Sequence, residues 1–155
     1  MKKWPWFVTA LIVIFLDQTS KYWASQVLVP YQPESVFPLF NLTLAYNSGA
    51  AFSFLSGAGE WHRWFFAGFS LIMSVVLIVG IIRTTPCLQL LALSLILGGA
   101  IGNLIDRALL GYVIDFIDIY YKSHHWPVFN LADSAICLGA FLLFIDLLRT
   151  DLCKT

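Results

Sequence analysis

Two aspartates in apolar surroundings are the strongest candidates for chemistry: Asp115 within Tyr112-Val-Ile-Asp-Phe-Ile, and Asp133 three residues past Asn130. Two carboxylates brought together cannot both ionise cheaply, so one keeps its proton while the other loses it. That split yields a general acid and a general base, the requirement for activating water against an amide carbonyl. Asp133 is expected in the first turns of a helix, where the dipole favours its anion. Read without chemistry, Asp133 is a helix cap and Asp115 a solvated loop acid. Asp118 competes for the role of Asp115, because three residues place the two on one face of a helical turn. The residue pattern leaves that choice open.

Other polar residues stand where an apolar chain should have none. Asp17 and Lys21 are four apart and share a helix face. They read either as a self-satisfied pair with Lys21 reaching outward, or as a brace in which Asp17 supports a neighbouring site. In Gly98-Gly-Ala-Ile-Gly102-Asn-Leu-Ile-Asp106-Arg107, Gly98 and Gly102 form a small face for close helix approach. Asn103 and Asp106 share a face of that helix. A helix C-terminus disfavours an acid, so Asp106 needs a donor, either Arg107 or a group from another helix. Metal chemistry is thinly supported: His124 and His125 are adjacent and diverge, and no HExxH occurs. Ser20 and Ser53 lack a nucleophile motif. Cys87, Cys137 and Cys153 make neither a CxxC pair nor a disulfide framework.

The elements that must position these groups follow from composition. Of 155 residues 59% are hydrophobic and only 12% charged, with nine basic and nine acidic side chains. Soluble domains carry about 25% charge, so a cytoplasmic globule and a disordered chain are excluded. No basic cluster exceeds Lys2-Lys3, which excludes a nucleic-acid binder. Stretches of about 20 apolar residues, enough to cross a bilayer, predict four spans at about 4–24, 64–82, 84–105 and 130–148, with Pro86 in the first turn of the third. A signal peptide is the competing reading of the first span, but no small-residue cleavage site precedes Asp17.

Lys2, Lys3, Arg83, Arg149 and Lys154 then mark the inner side, with Trp23, Trp61, Trp64 and Trp126 at the outer edge. The outer segments cover about 25–63 and 106–129. Within the first, Phe40, Leu42, Leu44 and Tyr46 take one parity and Asn41, Thr43, Ala45 and Asn47 the other, which predicts a strand at the membrane surface. Residues 53–59 read as a turn or short helix. Asp17, Asn47, Asn103, Asp106, Asp115, Asn130 and Asp133 all gather near the outer face. That depth favours a site cut into the outer leaflet over a relay strung across the membrane. The chain reads as one domain over 1–155, an all-α polytopic membrane protein with a small β region at its surface.

Five motifs occur in order: Asp17-Gln-Thr-Ser-Lys21, Asn47-Ser-Gly49-Ala-Ala-Phe52, Gly98 through Arg107, Val113-Ile-Asp-Phe116 and Phe129-Asn-Leu-Ala-Asp-Ser134. Together they resemble the bacterial lipoprotein signal peptidases (signal peptidase II), an aspartyl intramembrane peptidase family, over nearly the whole chain. The resemblance implies four membrane helices with both termini cytoplasmic, in the inner membrane. It assigns catalysis to Asp115 and Asp133, which decides against Asp118. It places Asn47, Gly49, Asn103, Asp106, Arg107 and Asn130 around the site, and Asp17 and Lys21 as support from the first helix. It implies diacylglyceryl-modified prolipoproteins as substrates, cleaved on the N-terminal side of the lipidated cysteine, and globomycin-type cyclic peptides as inhibitors. It implies a surface β-cradle at about 37–56 and a mobile helix at about 57–63. No metal or organic cofactor is expected, and a monomer is favoured.

Overall fold

The computed structural model describes residues 2–49 and 61–152. The expected turn at 53–59 lies outside these residues, as do 50–56 of the expected cradle and 57–60 of the expected mobile helix.

Four long helices form a bundle: α1 (Trp4–Val27), α2 (Trp61–Arg83), α3 (Cys87–Leu109) and α4 (Leu131–Leu152). By length and composition, Arg63–Arg83, Cys87–Leu109 and Leu131–Arg149 are each apolar enough to cross a membrane. The fourth helix, α1, is as long, but Asp17, Gln18, Ser20 and Lys21 dilute its C-terminal half. The expected start of the third span at Thr84 is corrected. Pro86 is extended, at φ −63° and ψ 131°, so α3 begins at Cys87. Thr84 N–H still donates to the Gly80 carbonyl and belongs to the end of α2.

Helix α3 is central and packs on α1, α2 and α4. Its glycines make that approach possible. A Cβ at Gly98 would stand 2.6 Å from Val13 Cβ on α1, and one at Gly102 would stand 2.5 Å from Asp17 Oδ2. The small face is therefore used within the chain, where van der Waals contact rather than water exclusion holds membrane helices together. Phe15, Phe69, Ile72, Phe141 and Phe144 point outward and are exposed, as suits a lipid surround. The Lys3 ammonium donates to the Thr84 carbonyl, fixing the start of α1 to the end of α2. At that same end, Gln89 of α3 donates to Asp146 of α4 at 2.6 Å.

The opposite end carries an antiparallel sheet in the order β1 (Glu34–Phe37), β2 (Phe40–Asn47), β3 (Val113–Tyr121) and β4 (His124–His125). Leu44, Ile114 and Phe116 of the sheet pack with Ala24 of α1 and Leu28 just past its end. The expected strict alternation along 37–46 fails at one point. Asn41 lies opposite Asp118 and Leu42 opposite Ile117, but Ala45 lies opposite Asp115, so β2 carries one extra residue between Leu42 and Ala45. A bulge of this kind flips the faces beyond it. Asn41 and Thr43 consequently share a face with Asp118, whereas Asn47, of the same parity, shares one with Asp115.

Candidate active site

Because 113–121 is a strand, Asp115 and Asp118 stand an odd number of residues apart and point to opposite faces. The helical-turn expectation that made them interchangeable is corrected. Asp118 accepts from Thr43 Oγ1 at 2.9 Å and Asn41 Nδ2 at 3.3 Å, and lies 2.8 Å from His125 Nδ1. Asp115 turns toward the helices.

Asn130 joins Asp115 to Asp133. Its Nδ2 donates to Asp115 Oδ1 at 2.6 Å, while its Oδ1 accepts from the Asp133 N–H at 2.9 Å. Asp133 Oδ2 accepts in return from the Asn130 N–H at 3.3 Å. This reciprocal pair is a capping box at the start of α4, satisfying donors that a helix leaves free. The cap and the chemical role of Asp133, set against each other from the sequence, thus occupy the same atoms. Asn103 Nδ2 donates to Asp133 Oδ1 at 2.8 Å, and Asn47 Nδ2 to Asp115 Oδ2 at 3.1 Å. Asn47 is held by its own turn, its Oδ1 accepting from the Gly49 N–H at 3.1 Å. Each oxygen of the two acids therefore has a donor, and every one of those donors is a neutral amide. Burial pushes Asp115 up to about 7, and the neighbouring Asp133 charge adds to the shift. Asp133 is only partly buried, so one acid of the pair is accessible.

Behind the pair lies a second cluster. Lys21, 2% exposed, does not reach outward. Its ammonium contacts Asp17 Oδ2 at 2.8 Å, Asp106 Oδ2 at 3.0 Å and Asn103 Oδ1 at 2.9 Å. Asp106 thus takes its cation from α1 and not from Arg107. Asp17 Oδ1 accepts from the Ala132 N–H at 2.9 Å, which docks α1 on the first turn of α4. Asn103 relays between clusters: it accepts from Lys21 with its oxygen and donates to Asp133 with its nitrogen. Arg107 instead lies over the Phe66 ring at 5.6 Å and donates to the Gly49 carbonyl at 3.4 Å.

All ten residues singled out from the sequence thus meet at one end of the bundle. Gln18 was missed. Its Nε2 reaches Asp106 Oδ1 at 2.9 Å, Gly102 O at 3.1 Å and Asp17 Oδ2 at 3.2 Å. The available signal was its place beside Asp17 in an apolar helix, where an amide needs partners. The Ile114 N–H, which donates to Asp106 Oδ2 at 3.1 Å, left no side-chain signal to read.

A bundle of long apolar helices with a small sheet at one end defines the class, a multi-pass membrane protein, and two carboxylates bridged by one asparagine stand at one of its helix ends. A family model described as "Signal peptidase (SPase) II" matches residues 9–149, and the chain belongs to that family. It is a membrane peptidase. Similar proteins include a lipoprotein signal peptidase of Teredinibacter turnerae, 54% identical over 143 residues, covering 91% of this chain and 85% of the relative. One of Coxiella burnetii is 48% identical over 155 residues, covering 99% and 95%. A bacterial membrane enzyme solved by the in meso method at 2.3 Å resolution superposes with a TM-score of 0.87 at 33% identity, covering 97% of this chain and 92% of the other.

Proposed function

We propose that the whole chain acts as one peptidase domain whose Asp115 and Asp133 hydrolyse the signal peptide from a diacylglyceryl-modified prolipoprotein, on the N-terminal side of the lipidated cysteine. The observation that carries the assignment is the Asn130 bridge, which holds a buried carboxyl with its affinity for protons raised against a second, accessible one. The ionised acid takes a proton from water as that water attacks the scissile carbonyl. The protonated acid polarises the carbonyl, and the gem-diol collapses as the amide nitrogen gains a proton. The two acids titrate as a pair. Asn47, Asn103 and Asn130 hold both in register without adding a cation between them. Arg107 and Gly49 flank the pair, while Asp17, Lys21 and Asp106 brace it.

Both termini lie in the cytoplasm and the pair sits near the outer face of the inner membrane. Lys2, Lys3, Arg83 and Arg149 at the opposite end support that orientation. At this depth the acids stand beside acyl chains, so burying two substrate chains anchors the substrate strongly. The protein works as a monomer and takes globomycin-type cyclic peptides at the same site. Turnover of lipidated and unlipidated precursor, compared in detergent at matched concentrations, tests the substrate: the lipidated form should be strongly preferred, and equal rates would refute the reading.

A further inference from the structure

Arg63 is a cation on the first turn of α2 that lies over the neighbouring Trp64 ring at 5.0 Å and whose hydrogen bonds lead to the far end of another helix. Its Nε donates to the Arg107 carbonyl at 3.0 Å and its Nη2 to the Ala108 carbonyl at 2.5 Å. Both carbonyls lie in the last turn of α3, where that of Arg107 also accepts from the Gly111 N–H at 3.2 Å, and a basic group there meets the negative end of the dipole. Gly111, at φ +88°, closes that end, and a Cβ on it would press to 3.4 Å of Arg63 Cδ. The residue by sequence best placed to cap α3 is its own Arg107, in the last turn. Arg107 instead turns back along α3, its Nη1 lying 3.5 Å from the Asn103 carbonyl. It lies over Phe66, three residues from Arg63 on the same face of α2. It reaches Gly49, two residues beyond Asn47, and its charge acts on Asp133, Asp115 and Asp106.

We propose that Arg63 is a positioning residue for Arg107, and through it for the Asp115–Asp133 pair. Arg63 seats the start of α2 on the end of α3 and so holds Phe66, one turn further along α2, against the Arg107 guanidinium. This inference rests on the catalytic reading of the two aspartates given above.

The test is a double-mutant cycle in the purified full-length enzyme with a lipidated prolipoprotein peptide, recording kcat, KM and the pH profile for R63M, R107M and R63M/R107M. R63M should lower kcat by about tenfold to a hundredfold, the scale of a misplaced group, with a smaller change in KM. Its alkaline limb should move to higher pH, because a displaced Arg107 cation favours the ionised acids less. In the double variant the Arg63 change should add nothing to R107M, since it acts through that residue. Additive losses, or wild-type kcat and pH profile in R63M, would overturn the proposal. Should R107M fall below detection, the limb of R63M decides alone. Should R63M fail to fold, R63K replaces it and must show a smaller loss that vanishes in the Arg107 background. D115N serves as the control: turnover surviving there defeats the catalytic reading, whereas an inactive D115N with additive arginine losses defeats only this inference.

Discussion

Two acidic clusters lie side by side at the sheet end of the bundle, joined through Asn103, and their wiring differs. Asp17 and Asp106 share the Lys21 ammonium and take further bonds from Gln18 and from the N–H groups of Ala132 and Ile114. Asp115 and Asp133 receive one bond per oxygen from asparagines and a helix N–H, with no cation among these donors. Buried charge is tolerated when it is matched, so the first cluster is inert and holds α1, α3 and α4 together. Among the described residues no cation pairs directly with the second: the Lys21 and Arg107 charges act on it from further off, and burial keeps a proton on Asp115 near neutrality. The first cluster is thus matched by direct ion pairs and the second by neutral amides.

The largest effects should come from the unmatched pair. Asp115→Asn and Asp133→Asn should each lower turnover by about 10⁴-fold or more, with the folded protein recovered in normal yield. Loss of folding in both, rather than of turnover alone, would erase the distinction between the clusters. Lys21→Met should act the other way round. Leaving Asp17 and Asp106 without their cation should cost about 3–5 kcal/mol of stability, measured by unfolding in detergent, with turnover falling as a consequence. An unchanged stability would mean the first cluster is not structural.

The pH dependence sharpens the contrast. Asp115 has its folded value raised from 3.8 to about 7. Its contribution to stability is therefore full below about 4 and is lost as pH rises toward 7. Activity should fall on the alkaline side once both acids are ionised. Asn47 lowers the Asp115 value by donating to it, so Asn47→Ala should move that alkaline limb to higher pH. An unmoved limb would show that the amide does not tune the acid. The smallest effect belongs to Asp118, on the opposite face of the same strand. Asp118→Asn should weaken the ties to Thr43 and His125, costing about 1–3 kcal/mol, while turnover stays within about twofold.

Scarcity made the acids legible: in a chain with nine acidic residues, those in apolar stretches draw attention at once. The four helices and the common depth of the polar groups follow from hydropathy, and one surface strand from parity. The second strand did not, because Val113–Tyr121 is apolar on both faces and such a run has no period of its own. That ambiguity is why Asp118 stood beside Asp115 until the strand separated them. The bulge in β2 was invisible for a similar reason, since Thr43, Leu44 and Ala45 all tolerate either face. Lys21 was misjudged because its burial depends on two partners 82 and 85 positions away, Asn103 and Asp106. Arg63 could not be read as a ligand of α3, because backbone carbonyls leave no trace in a sequence.

The capping box at Asn130 has one more implication. Helix ends open locally far more often than whole proteins unfold. Here the first turn of α4 cannot fray without breaking the Asn130–Asp133 link, so every such opening also separates the two acids. Amide exchange at Asp133, whose N–H is held by Asn130, therefore reports the fraction of time the enzyme is assembled. A ligand that binds only the assembled form would slow that exchange in proportion to its occupancy.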